Sequence, residues 1–221
     1  VTTIGSCVVF RFNGESPEIP NITPATPLDA GAQLTITVPG GNSVVPKAGP
    51  GAYSKSFSSN PFPFLSPERQ QTAPFFQPGL TTVSAPGGVD VQSHNAPIVV
   101  PVAFQWLNKP AAGAAINRSQ GKLITYSASG YDYVYIFGAS TLVSGNTNVG
   151  SGFFCAANPA AGSFTIPVPI LLSLPDSPLI QGNPTGILSV GGYVADPFTA
   201  TDLDQRSITY SDSTLVTVDY N

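Results

Sequence analysis

The sequence predicts an all-β chain of two β-sandwich-like (Ig-like) halves, residues 1–100 and 101–221, linked by a disulfide. Short runs of β-branched and aromatic residues recur between clusters of Gly, Pro, Asn and Ser, the pattern of antiparallel strands and their turns. The 221 residues include 23 Pro and 22 Gly, which interrupt any long helix. Charged residues make up only 9%, against about 25% in an ordinary globular protein, so charged helix faces have little to be built from.

The strands are taken in order. Residues 6–12 (Ser-Cys-Val-Val-Phe-Arg-Phe) and 33–38 (Gln-Leu-Thr-Ile-Thr-Val) are rich in strand formers, and the second alternates with period 2. Residues 52–57 and 80–84 follow. Pro39-Gly40-Gly41 and Pro86-Gly87-Gly88 end two of these runs, and Pro with its fixed φ beside Gly with φ > 0 makes a strand-to-strand turn. The echo between these two regions is shared turn chemistry. Residues 59–79 carry five prolines and no alternation, so they form a long loop. Phe62, Phe64, Phe75 and Phe76 are too apolar for a free coil and are expected to lie against the protein, or else to bind a partner. The chain divides within Ala96-Pro-Ile-Val-Val-Pro101. Strands are then expected at 98–106, 122–127, 133–137, 152–156, 163–168, 186–194, 207–210 and 214–220. The Ala-rich stretch 110–116 allows a single helical turn at most, because Gly113 interrupts it.

Cys7 and Cys155 are the two cysteines, and an even count in an exported chain predicts a bridge. Chain-entropy reasoning assigns so long a loop roughly 5 kcal/mol. The chain has no methionine, position 1 included, and begins Val-Thr-Thr, which is expected to reflect removal of a secretory signal peptide. The expected location is therefore secreted, extracellular or at the cell surface. No apolar run reaches the roughly 18 residues of a membrane-spanning helix. With Lys and Arg together numbering 8 and a net charge of −4, no basic stripe offers itself to phosphates, so nucleic acid is not an expected partner.

The chemistry of catalysis is thin. His94 is the one histidine and lies in a turn context, and no Gly-x-Ser-x-Gly, His-Glu-x-x-His, P-loop or Cys-x-x-Cys motif occurs. A secreted hydrolase of glycosidase type needs two rigidly held carboxylates, yet Glu15, Glu18 and Glu68 sit in Pro-rich segments. Asp202 and Asp204, flanked by Asp196 and Asp212, lack the Gly and bidentate Glu of a calcium loop and read as turn residues. No cofactor or metal is expected. Two sequons, Asn21-Ile-Thr and Asn117-Arg-Ser, occur at near-chance frequency.

The most suggestive run is Tyr131-Asp-Tyr133-Val-Tyr135-Ile-Phe137. Period 2 sets Tyr131, Tyr133, Tyr135 and Phe137 on one face and Val134 and Ile136 on the other. With the aliphatic side in the core, the tyrosines present rings and hydroxyls suited to a sugar or to a neighbour; alternatively both faces are covered.

On Cys-Val-Val-Phe10, the run from Pro78 to Asp90, Phe104-Gln-Trp106, Asn117-Arg-Ser-Gln-Gly121, Gly152-Phe-Phe-Cys-Ala156, Gly162-Ser-Phe-Thr-Ile-Pro167 and Leu171-Leu-Ser-Leu-Pro175, the chain resembles an uncharacterised family of bacterial secreted β-sandwich proteins. That resemblance implies export and transfers no catalytic residue. The ending Leu215-Val-Thr-Val-Asp-Tyr220-Asn221 resembles the last strand of chaperone–usher fimbrial subunits, and this implies possible assembly through terminal strands. The function expected is a non-catalytic extracellular structural or adhesive module, such as a cell-surface or filament subunit. The alternative is a carbohydrate-binding module using Tyr131, Tyr133 and Tyr135. The expected partners are further copies, through the terminal strands, or an extracellular glycan.

Overall fold

The computed structural model describes residues 2–13, 27–57, 75–144, 147–177, 182, 184–204 and 206–221. In chain order the strands are β1 (Thr2–Ile4), β2 (Cys7–Asn13), β3 (Gln33–Val38), β4 (Gly41–Gly49), β5 (Ala52–Tyr53), β6 (Gly79–Ala85) and β7 (His94–Val100). They continue as β8 (Gln105–Trp106), β9 (Ala114–Ile116), β10 (Lys122–Ser127), β11 (Tyr133–Ser144), β12 (Thr147–Ala157), β13 (Ser163–Ile166), β14 (Gly186–Pro197) and β15 (Ser207–Tyr220). Helix among the described residues is confined to a 3-10 turn at Pro159–Ala161 and the four-residue α1 (Val168–Leu171). The chain is all-β, with curled, half-barrel sheets.

Several expected strands change length for local reasons. Residues 33–38 and 122–127 keep their bounds. The run 98–106 breaks at Pro101 into β7 and β8, and 163–168 stops at Ile166, where Pro167 becomes the N-cap of α1. Residues 52–57 contribute only Ala52–Tyr53, while 207–210 and 214–220 are one strand. The stretch 110–116, expected to hold a helical turn at most, ends in β9, which runs parallel to the end of β15. Gly113 turns the chain into it at φ +80°.

β4 escaped prediction because Pro46 reads as a breaker. Its carbonyl accepts from the Ser54 amide, so the side with the missing donor faces away from β3 and breaks no β3 ladder bond. Pro39-Gly40 joins β3 to β4 as the turn chemistry requires, with Val38 opposite Gly41.

The chain forms two compact units, each discontinuous in sequence, whereas the sequence reading divides the chain once near residue 100. Unit 1 comprises Val1–Ile22, Ala103–Val194 and Ser211–Asn221, and unit 2 comprises Thr23–Val102 and Ala195–Tyr210. The first strand belongs with the second half of the chain because β2 pairs with β12.

Unit 1 holds a seven-stranded sheet, in the order β1-β2-β12-β11-β14-β15-β9, and a three-stranded sheet, β13-β10-β8. One face of the large sheet is buried through Val134, Ile136, Phe153, Cys155, Leu188 and Val190, each wholly inaccessible. Ile124, Ile166, Ile170 and Leu171 from the small sheet and α1 are equally buried. Burying one such side chain contributes about 1.5–3 kcal/mol. Unit 2 holds a five-stranded sheet, β5-β4-β3-β6-β7, whose buried side carries Val38, Val45, Ala85, Ala96, Ile98 and Val100.

Candidate functional site

Cys7 and Cys155 are bonded. They sit directly opposite each other on adjacent strands and are buried, so the bridge staples β2 to β12 on the core side of the sheet.

The other side of that sheet is aromatic. Register places Tyr133, Tyr135 and Phe137 of β11 on the face opposite Val134 and Ile136, all three half-buried. Phe154 of β12 lies directly opposite Phe137, and Tyr193 of β14 directly opposite Tyr133. Phe10 of β2 reaches the same face opposite Gly152. The rings pair across strands: Tyr133 with Tyr193 at 4.7 Å, Tyr135 with Phe154 at 6.1 Å and Phe10 with Phe137 at 6.3 Å, all stacked. Such pairs add roughly 0.5–1.5 kcal/mol each beyond their burial. Phe154 remains 39% exposed.

Glycines make room for these rings. A Cβ on Gly152 would lie 2.4 Å from the Phe10 ring, and one on Gly191 would lie 2.7 Å from the Tyr135 ring. Each ring leans over a bare stretch of backbone, which keeps the aromatic surface close to the sheet. Burial, then the neighbouring Tyr193, Asp132 and Tyr135, push the Tyr133 hydroxyl above its ordinary pKa, so it remains a neutral donor near physiological pH.

Tyr131 does not join this face, contrary to the alternation read from sequence. It precedes β11, its amide donates to the Ala128 carbonyl in a turn, and its buried ring contacts Phe104 edge-on. The period-2 rule holds only within a strand, and here the strand begins at Tyr133. Conversely, Phe10, Phe154 and Tyr193 belong to the face although sequence reading did not single them out. Alternation within residues 6–12 and 152–156 was the available signal; strand pairing was the missing one.

Phe62 and Phe64 lie outside the described residues. Phe75 and Phe76 are half-buried and cluster with Phe57, at ring separations of 4.3 Å for Phe57–Phe75 and 5.1 Å for Phe75–Phe76. Phe76 also approaches Tyr210 at 6.2 Å. Lys55 rests its ammonium 5.6 Å from the Phe57 centroid.

His94 begins β7, with Nδ1 3.0 Å from the Gln92 carbonyl and its ring stacked on Phe198. The Asp212 carboxylate accepts from the Phe104 amide in unit 1, while in unit 2 Asp202 and Asp204 line an open hollow with Arg206. Among the described residues, no group of three or more His, Cys, Asp or Glu could hold a metal ion. Glu15, Glu18 and Glu68 lie outside them, as does the sequon Asn21. Asn117 is exposed, and its Oδ1 accepts from the Ser119 amide and hydroxyl. No described helix is long and apolar enough to cross a membrane.

Comparison of the chain with protein-family models, curated proteins and solved structures finds no match.

Proposed function

We propose that the chain is a non-catalytic extracellular module of structural or adhesive type, with two β-sandwich-like, Ig-like halves. Its contact surface is the aromatic outer face of the seven-stranded sheet, and its first partner is a second copy. The observation that carries this reading is the assembly of Phe10, Tyr133, Tyr135, Phe137, Phe154 and Tyr193 on one face, each partly accessible among the described residues. Contiguous aromatic surface of this kind marks an interaction site, and a face matched to its own copy closes a two-fold dimer. The buried Cys7–Cys155 bridge supports an oxidising compartment, and the resemblance to bacterial secreted β-sandwich proteins belongs to the same reading. Light scattering over a range of concentrations tests it. Wild type is expected to associate and Tyr135→Lys to stay monomeric; equal masses for both would contradict the reading.

A second reading, glycan binding by Tyr133 and Tyr135, is favoured by the two hydroxyl-bearing rings of Tyr133 and Tyr193 side by side. Their stacked faces cover each other, which leaves edges and hydroxyls for a sugar. A glycan array comparing wild type with Tyr133→Ala and Tyr135→Ala separates the readings: binding that both variants abolish supports the second, and no wild-type binding removes it.

A further inference from the structure

In unit 2 the side of the five-stranded sheet opposite Ala96, Ile98 and Val100 carries no charged side chain on β3, β4, β6 or β7. Register arranges it in rows. Val44, Thr35, Ser84 and Asn95 lie across one line of the sheet, and Asn42, Thr37, Thr82 and Pro97 across the next. Leu80 pairs with Val99 beyond them, at 61% and 60% exposure. The burial alternation of β7 agrees, with Ala96, Ile98 and Val100 buried and Asn95, Pro97 and Val99 exposed. The result is a face of hydroxyls and amides interleaved with aliphatic patches. Polar groups recur about every 4.8 Å across strands and about 6.8 Å along them.

The chemistry of this face selects its occupant. A phosphorylated or carboxylated ligand finds no cation among these rows. A protein partner of ordinary composition brings charge at about one residue in four, and each charge buried here would be desolvated without a counter-charge. A neutral glycan brings donors, acceptors and apolar C–H surface with no charge to desolvate. Ser84 Oγ already donates to Asn95 Oδ1 at 2.7 Å, which orients that pair as a bidentate polar contact. Asp196 lines the same shallow hollow as Leu80 and Val99 and repels an anionic sugar there.

We propose that this face binds a neutral polysaccharide. Thr35, Thr37, Thr82, Ser84 and the two asparagines hydrogen-bond sugar hydroxyls, and Val44, Leu80, Pro97 and Val99 pack against C–H faces. The site is separate from the aromatic face of unit 1 and does not rest on the function proposed for it.

Affinity electrophoresis of the full chain through gels containing soluble β-glucan, dextran or galactomannan, with carboxymethylcellulose as the anionic control, tests the site. Wild type is expected to be retarded by at least one neutral polymer, insensitively to salt and not by carboxymethylcellulose. Thr37→Lys and Val99→Lys are each expected to weaken retardation by about tenfold. Tyr135→Lys, on the other unit's face, is expected to leave it unchanged. Val99 is exposed enough that its variant reads the site even if Thr37→Lys fails to fold. Absence of retardation in every neutral gel would overturn the proposal. So would retardation unchanged by Thr37→Lys and Val99→Lys, loss in Tyr135→Lys alone, or a wild-type dimer that Val99→Lys dissociates, since the last outcome makes the occupant a second copy.

Discussion

At Gly138 an added Cβ would lie 2.4 Å from the Phe153 ring and 2.7 Å from the Tyr220 hydroxyl, and both side chains are fully buried. The Tyr220 hydroxyl is held by the Ile187 carbonyl at 2.9 Å, and with both side chains enclosed neither ring has room to yield. Gly138→Ala is therefore expected to cost about 1–3 kcal/mol, the range for overpacking a core. At Gly152 an added Cβ would meet the half-exposed Phe10 ring, which can swing outward, and the Gly138 carbonyl oxygen at the looser distance of 3.2 Å, so Gly152→Ala is expected to cost less, about 1 kcal/mol. Urea unfolding of the two variants checks the order, and a larger loss at Gly152 would refute it. Thr81 offers the opposite case. It is 2% exposed, and its hydroxyl has no hydrogen-bond partner among the described residues. Thr81→Val keeps the shape and removes the unsatisfied group, so unfolding should show a gain of about 1 kcal/mol. At this scale sequence reading reached Tyr133 and Tyr135 but set Tyr131 beside them, because only the backbone turn at Ala128 reveals where the alternation starts.

Pairing between elements explains which strands were legible. Gln33–Val38 and Lys122–Ser127 carry their own signals, β-propensity with turn residues on either side. β4 and β9 do not: one contains Pro46, the other is a three-residue Ala-rich strand that exists because the end of β15 pairs with it. The disulfide was legible from cysteine count, but its neighbours were not, since β2 and β12 are far apart in sequence. The bridge closes a separation of 148 residues, so chain-entropy reasoning gives about 5 kcal/mol and typical measured losses on removal run about 2–5. Paired substitution of Cys7 and Cys155 by Ala is expected to lower stability by such an amount while circular dichroism stays strand-like, because the β2–β12 ladder persists. Loss of the strand spectrum would contradict this. In unit 2, Asp29 pairs with Lys47 of β4 at 2.8 Å and accepts from the Gly31 amide and the Tyr53 hydroxyl. The Lys47 hydrogen bond, then that of Gly31, lowers the Asp29 pKa below its usual 3.8, while Asp29 raises that of Lys47 above 10.5. The Asp29 contribution is present above the unfolded carboxylate pKa and fades as pH falls through the lowered value. The Lys47 contribution is full below 10.5 and fades as pH rises through the raised one. Thermal melts of wild type should therefore lose stability at both extremes, and Asp29→Asn should flatten both limbs; limbs as steep as in wild type would rule this pair out as their source.

For the molecule as a whole, the two chain ends differ: β1 is the exposed outer strand of the seven-stranded sheet and screens β2 from its edge, whereas the end of β15 lies between β14 and β9. Deleting residues 214–221 removes Val216, Val218 and Tyr220 from the buried side of unit 1 and should prevent its folding, whereas a truncated chain that melts like wild type would contradict the pairing. Class and punctuation were legible over the described residues because Gly, Pro and β-branched residues act locally. The interleaved units and the six-ring face were not, because they arise from register between distant strands. That face is the basis of the proposed function, and mixing charge-reversed copies tests it most directly. Phe154→Lys and Phe154→Glu each place a like charge against its own copy across the proposed two-fold contact. Sedimentation velocity should find wild type associating, each variant monomeric alone, and an equimolar mixture of the two associating again. A monomeric wild type, or variants that associate as well alone as when mixed, would contradict the account.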